Sequence, residues 1–175
     1  STVVLRSCLV IVDCAVYREG QRLPGEFTPE SAFKASRCDD AFVWIGLHEP
    51  TKEEFEVVRV EFGLHELAIE DAVKAHQRPK LERYGDTLFV VLRAATYLDK
   101  EEEVEFGEIH IFVGPNFVLT VRHSRTPDLG RVRERMENDP ELLARGPEAV
   151  LYAILDGVVD GYAPVVAGLQ KDIDE

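Results

Sequence analysis

Between Lys80 and Arg122, four β-strand candidates follow one another almost without interruption: Lys80 to Tyr84, Thr87 to Tyr97, Val104 to Val113 and Phe117 to Arg122. Gly85-Asp86 and Gly114-Pro115-Asn116 mark tight turns between them. Strands joined by such short connections pair antiparallel, because a parallel crossover needs a dozen or more residues. The acidic run Asp99-Lys100-Glu101-Glu102-Glu103 reads as a solvated turn within this meander rather than as a cation site. Whatever else the chain does, it must cover both faces of this sheet.

The rest of the chain supplies the cover. Val3-Val4-Leu5 and Leu9 to Tyr17 are rich in β-branched residues and read as strands. Arg18-Glu19-Gly20-Gln21 is a turn, after which Gln21 to Leu23 pairs back. Thr28 is an N-cap with Pro29 at the first helical position, and Ser31 to Ala35 continues the helix. Asp40 to Leu47 reads as a strand buried on both faces, with Trp44 in the core rather than at a binding site. Thr51-x-x-Glu54 forms a capping box. It opens an amphipathic helix through Phe55, Val58 and Phe62 that ends at Gly63. After the meander, Pro127 to Asn138 is a helix with Leu129, Val132 and Met136 inward and Arg131, Arg133 and Arg135 outward. Asp139-Pro140-Glu141 begins a shorter one that stops at Gly146-Pro147. This alternation predicts an α/β domain with a mixed, largely antiparallel sheet and helices on its faces.

Composition narrows the function. The 175 residues carry a net charge of −13. That argues against a nucleic-acid partner, which would need clustered Lys and Arg, and is compatible with a surface that attracts cations. Cys8, Cys14 and Cys38 are odd in number and contain no Cys-x-x-Cys pair, so reduced, buried thiols are expected rather than a disulfide framework or zinc centre. No run approaches the roughly 20 apolar residues that span a bilayer, and no signal peptide is visible. His110 and His123 lie at strand positions without ligand partners at suitable spacing and read as structural.

Chemistry concentrates in Glu66 to Tyr84. The segment opens as a short helix with Leu67, Ile69 and Val73 on its apolar side and Glu70 and Asp71 adjacent at its middle. Pro79 pushes Arg78 out of the α region, so the helix is expected to end near Gln77. His76 follows five residues after Asp71. Adjacent hard oxygen donors are what Mg²⁺ or Ca²⁺ selects; an ordinary solvated helix face is the alternative. Arg78 and Lys80 are expected to pair with carboxylates near the turn.

From Pro147 onward the pattern changes to a long helix. Leu151, Leu155, Val158, Tyr162, Val165, Leu169 and Ile173 recur in a coiled-coil-like stripe. Asp156 and Asp160 lie one turn apart on a neighbouring face, among Ala149, Ala153, Ala163 and Ala167. Pro164 is expected only to kink the helix. Residues 1–146 thus read as an α/β domain and 147–175 as the start of a long helix. Its acidic last turn opposes the macrodipole, and with no C-cap in sight the helix is expected to continue beyond Glu175.

These motifs carry a resemblance. Trp44-Ile45, Ile69-Glu70-Asp71, His76-Gln77-Arg78-Pro79-Lys80, Glu82, Tyr84 and Phe89-Val90-Val91-Leu92 resemble, in this order, the cytoplasmic N-terminal domain of the CorA family of divalent-metal-ion transporters. So do Val132-Arg133-Glu134-Arg135 and Leu151-Tyr152-x-Ile154-Leu155-Asp156-x-x-Val159-Asp160. The resemblance implies an α/β/α sandwich that leads through long helices into two transmembrane helices of a homopentamer, with this domain on the cytoplasmic side of the cell membrane. The family's Gly-Met-Asn pore motif would lie beyond Glu175. By the same resemblance, Asp71 matches a position that holds a regulatory divalent ion between neighbouring subunits. Glu70 and Asp156 match positions proposed for a second ion, and His76 is added by proximity.

The implied function is a domain that senses Mg²⁺ or Co²⁺ at subunit interfaces and gates a pore formed elsewhere in the protein. A ZntB-like transporter of Zn²⁺ would share the domain. A metal-dependent hydrolase using Glu70, Asp71 and His76 lacks a nucleophile and a phosphate-cradling loop, so no enzyme activity is expected. A free-standing cytosolic metal-binding or interaction module is the remaining alternative.

Overall fold

The computed structural model describes residues 10–38, 40–74, 76–98, 100–101, 103–124 and 128–174. The expected strand at Val3-Val4-Leu5, Cys8 and Pro127 lie outside the described residues. Seven strands form one sheet: β1 (Ile11–Arg18), β2 (Gln21–Arg22), β3 (Ala41–His48), β4 (Lys80–Tyr84), β5 (Thr87–Leu98), β6 (Glu103–Val113) and β7 (Phe117–Arg122). Their order is β2-β1-β3-β7-β6-β5-β4. The expected meander is its larger half. Only β3 and β7 pair parallel, with Trp44 opposite Val118 and Gly46 opposite Thr120. The parallel pair sits mid-sheet and the antiparallel strands flank it, so both of its faces are buried.

Helices α1 (Pro29–Ser36), α2 (Lys52–Phe62) and α3 (Glu66–Val73) cover one face, and α4 (Leu129–Glu137), α5 (Pro140–Leu143) and α6 (Pro147–Asp174) cover the other. The layering is α/β/α. Local signals place the starts of α1 and α2. Thr28 caps α1, and Thr51 and Glu54 close a reciprocal box at the start of α2. Gly63 ends α2 at φ +62°. Gly20 is required twice over: its φ is +77°, and a Cβ there would stand 2.0 Å from the Pro140 carbonyl oxygen.

Two cores result. Val43, Ile45, Phe55, Ile69, Phe89 and Phe112 represent the first, beneath α1–α3. Trp44, Tyr17, Ile109, Ile111, Met136 and Ile154 represent the second, beneath α4–α6. Alternation along β3 sends Val43 and Ile45 to one face and Phe42 and Trp44 to the other.

Several expectations need correction. Arg133 points inward, not outward. Its Nη1 donates to the Tyr17 hydroxyl (3.0 Å), its Nη2 to the Trp44 carbonyl (3.2 Å), and its Nε lies 3.1 Å from Asp13 Oδ2. The guanidinium also stacks 4.1 Å from the Trp44 ring centre. Helical periodicity places a residue on a face but does not reveal an acidic partner brought from β1. The thiol of Cys38 is exposed, whereas Cys14 is buried and its pKa is pushed up to about 11, first by burial and then by Asp13.

The long helix also differs from its expected stripe. Val150, Ile154, Val158 and Val165 face the sheet, while Leu155, Leu169 and Ile173 are exposed. Small residues decide the docking side. Gly161 passes the Ala95 carbonyl, and a Cβ on Gly168 would meet the Tyr97 ring at 2.6 Å. A second apolar line, Tyr152, Leu155, Val159, Val166, Leu169 and Ile173, is exposed. With apolar residues on two sides, residues Pro147–Lys171 are long and apolar enough to cross a bilayer by length and composition. That corrects the expectation that no run approaches this limit. Tyr162 anchors the helix to the sheet, its hydroxyl donating to the Arg93 carbonyl (2.5 Å).

Candidate metal centre

The candidate site is the junction of α3 with the edge strand β4. His65 starts α3, its Nδ1 accepting the Leu67 amide (3.2 Å) and its ring stacking on Tyr84 at 4.6 Å. Ala68, Ile69 and Ala72 form the buried side of α3. Leu67, expected there, is exposed. Glu70 is exposed and Asp71 is half-buried.

The helix ends at Val73, four residues before Gln77. The proline at 79 does not account for this earlier exit. The turn that follows is held by Glu108 of β6, which reaches across from the sheet. The Glu108 carboxylate accepts the His76 amide (2.9 Å) and the Gln77 amide (3.1 Å). His76 takes φ +74° to present that amide. The same carboxylate pairs with His110 Nε2. His76 therefore enters the site through its backbone, and its side chain is exposed.

After this turn the chain returns along β4 beside α3. Lys80 Nζ lies 2.5 Å from Asp71 Oδ2 and 3.3 Å from Glu82 Oε1. Tyr84 donates its hydroxyl to Glu82 Oε2 (2.6 Å). The Lys80 ammonium also stands 5.6 Å from the Phe89 ring centre. The Asp71 hydrogen bond, followed by that of Glu82, raises the Lys80 pKa, and Glu82 raises that of Tyr84. The expected pairing of Lys80 with carboxylates at the turn is observed.

Beneath the junction, His110 is fully buried and His123 Nε2 contacts the Ala72 carbonyl at 2.6 Å. Their rings meet edge to face at 5.5 Å. Burial lowers the His110 pKa from its ordinary value of 6.5, against the opposing pull of Glu108. The folded protein thus favours neutral imidazole, while the unfolded chain takes up a proton near 6.5. Stability from this ring is present above that pH and declines as pH falls through the lower, folded value. In urea denaturation from pH 7.5 to 5, His110→Phe should show a shallower loss of stability than the parent. An unchanged slope would exclude the linkage.

The predicted ligands are not brought together in one chain. Glu70 and Asp71 stand on α3, on one side of the sheet. Asp156 is exposed on α6, in the layer on the other side. Among the described residues, no group of three or more His, Cys, Asp or Glu is arranged to hold a metal. The donors fit a half-site for a hard, hydrated cation, and they do not fit a closed zinc centre. Sequence reasoning missed Glu108: a lone carboxylate in a strand carries no local signal that it will cap a turn 32 residues away.

Comparison with known proteins agrees with this architecture. Residues 39–175 match the family model of the CorA-like Mg²⁺ transporter protein. YfjQ of Bacillus subtilis is 36% identical over 142 residues, covering 81% of this chain and 43% of YfjQ. The cobalt/magnesium transport protein CorA of Thermotoga maritima is 30% identical over 114 residues, or 65% of this chain and 32% of that protein. The soluble domain of CorA from Methanocaldococcus jannaschii superposes with a TM-score of 0.71 at 18% identity, covering 94% of this chain and 63% of that one. The chain spans less than half the length of the two curated relatives. With the match to the family model reaching across most of its length, the chain belongs to the CorA-like Mg²⁺ transporter family.

Proposed function

We propose that this chain is the cytoplasmic regulatory domain of a membrane-embedded divalent-cation transporter, in which Asp71 is half of a Mg²⁺-sensing site completed by a neighbouring subunit. The observation that carries this reading is the position of Asp71. It is a hard carboxylate, partly open to solvent, on helix α3 beside the edge strand β4, and among the described residues it belongs to no group of three or more His, Cys, Asp or Glu that could hold a metal. Membership of the family supplies the context of ion transport. Glu70, Asp156 and the His76 side chain, all exposed, are proposed as contributors to a second cation position between subunits of a homopentamer.

Few protein oxygens mean weak binding, because Mg²⁺ keeps most of its waters. Weak binding suits a sensor whose occupancy must follow the concentration inside the cell. When the divalent ion leaves, Asp71 pairs with Lys80 of its own chain, the link to the neighbouring subunit is lost, and that loss biases the assembly towards an open pore.

The test uses the full-length protein in liposomes, with Mg²⁺, Co²⁺ or Zn²⁺ supplied as the transported ion. Asp71→Asn should raise the Mg²⁺ concentration that half-closes the pore about tenfold, the loss of one charge-assisted ligand. Uptake of Mg²⁺ or Co²⁺ in preference to Zn²⁺ separates this reading from a zinc transporter with the same domain. An unchanged closing concentration in Asp71→Asn would remove Asp71 from the sensor.

A further inference from the structure

We infer that Lys80 is a tethered cation that competes with the divalent ion for Asp71 and thereby sets the concentration at which the site responds. The inference rests on the reading of Asp71 as a cation ligand. Lys80 Nζ stands 2.5 Å from Asp71 Oδ2, close enough to obstruct approach of a hydrated cation to that oxygen. A divalent ion binding there has to displace it.

Three features distinguish this pair from a fixed structural ion pair. First, neither side chain is sealed off: Lys80 and Asp71 keep 27% and 29% of their side-chain surface. A cation from solution can reach the carboxylate. Second, Lys80 has somewhere to go. Glu82 Oε1 lies 3.3 Å from the same ammonium, held by the Tyr84 hydroxyl on its other oxygen, and the Phe89 face lies beneath. Displacement moves the ammonium from two carboxylates to one without stranding a charge. Third, the backbone on both sides is held. Asp71 belongs to α3, Lys80 to β4, and the intervening turn is pinned on Glu108. The exchange needs only a rotation of the lysine side chain. Glu82 thus acts as a second positioning residue: the more strongly it holds Lys80, the more readily Asp71 is released.

Substitutions at the two partners of Asp71 should therefore act in opposite directions. The probe is Mg²⁺ itself, titrated into the isotope-labelled 175-residue chain while amide resonances of residues 69–73 are followed. Lys80→Met keeps the apolar stem and should lower the midpoint about fivefold, the strength of a partly exposed ion pair. Lys80→Arg keeps the charge and should stay near the parent value. Glu82→Gln should raise the midpoint, because Lys80 then has only Asp71. Saturable shifts in the parent with an unchanged midpoint in Lys80→Met would overturn the competition and leave the Asp71 site standing. Absence of saturable shifts at residues 69–73 in both the parent and Lys80→Met would overturn the competition, because the carboxylate freed of its lysine would then still not take the ion; the subunit-bridging role of Asp71 is judged separately by the closing concentration of Asp71→Asn. A lower midpoint in Glu82→Gln would also overturn the proposal, since a purely structural role for Lys80 does not produce the opposed pair.

Discussion

Glu108→Ala is expected to cost about 3 kcal/mol of stability and to release the turn after α3. The carboxylate accepts the amides of His76 and Gln77 and pairs with the buried His110 ring. Its removal leaves three polar groups without their acceptor. The two amides can reach water if the turn moves, but His110 is fully buried and cannot. A partial relaxation is therefore expected, and it is paid in order at the candidate metal centre. His76 would have no reason to keep φ +74°, and Lys80 would lose its fixed position against Asp71. Urea denaturation gives the energy, and hydrogen exchange at the Gln77 amide reports the turn. Glu108→Gln retains one oxygen acceptor and should lie between the parent and alanine. A loss below about 1 kcal/mol in Glu108→Ala, with exchange at Gln77 unchanged, would refute the pinning role.

Arg133→Met should be at least as damaging, by about 3 to 4 kcal/mol, through a different mechanism. The guanidinium joins α4 to β1 and β3 by the Tyr17 hydroxyl, the Trp44 carbonyl and Asp13. Methionine fills much of the volume but leaves the Trp44 carbonyl without this donor. Tyr17 still donates to Glu137 (2.6 Å), and Arg22 still pairs with Asp13 (2.7 Å) and Glu137 (3.0 Å), so the network is weakened rather than abolished. Arg133→Lys should recover little, because a point charge cannot replace the planar fork or its stacking on Trp44. Arg131→Ala is the control. Its side chain is 84% exposed and lies 3.7 Å from Asp128, and the change should stay within about 0.5 kcal/mol. Equal losses at positions 131 and 133 would show that helix propensity, not the buried network, governs α4.

The two variants separate the two faces of the sheet. Glu108 serves the α3 layer, where the proposed sensing carboxylates lie. Arg133 fastens the α4 layer. If Mg²⁺ sensing works through Asp71, Glu108→Ala should shift the response even where the protein remains folded. Arg133→Met should act through stability alone.

Much of the architecture could be read from local sequence because its causes are local. Turn residues, β-branched runs and alternation define β4 to β7, and Thr28, Thr51 and Gly63 mark helix ends by short-range hydrogen bonds and backbone freedom. The motifs around Glu70, Asp71 and Lys80 were legible for the same reason, and the order of motifs along the chain pointed to the family. What the tertiary structure alone decided is where charge and apolar surface meet distant partners. Helix α3 ends at Val73, and the amides of His76 and Gln77 that a longer helix would have used internally are taken instead by Glu108 of β6. Asp13 and Tyr17 drew Arg133 inward. Gly161 and Gly168 selected which of two apolar faces of α6 docks on the sheet, since only the small-residue side permits close approach. Each outcome depends on groups far apart in sequence, whose interaction energy exists only once the sheet has brought them within a few ångströms.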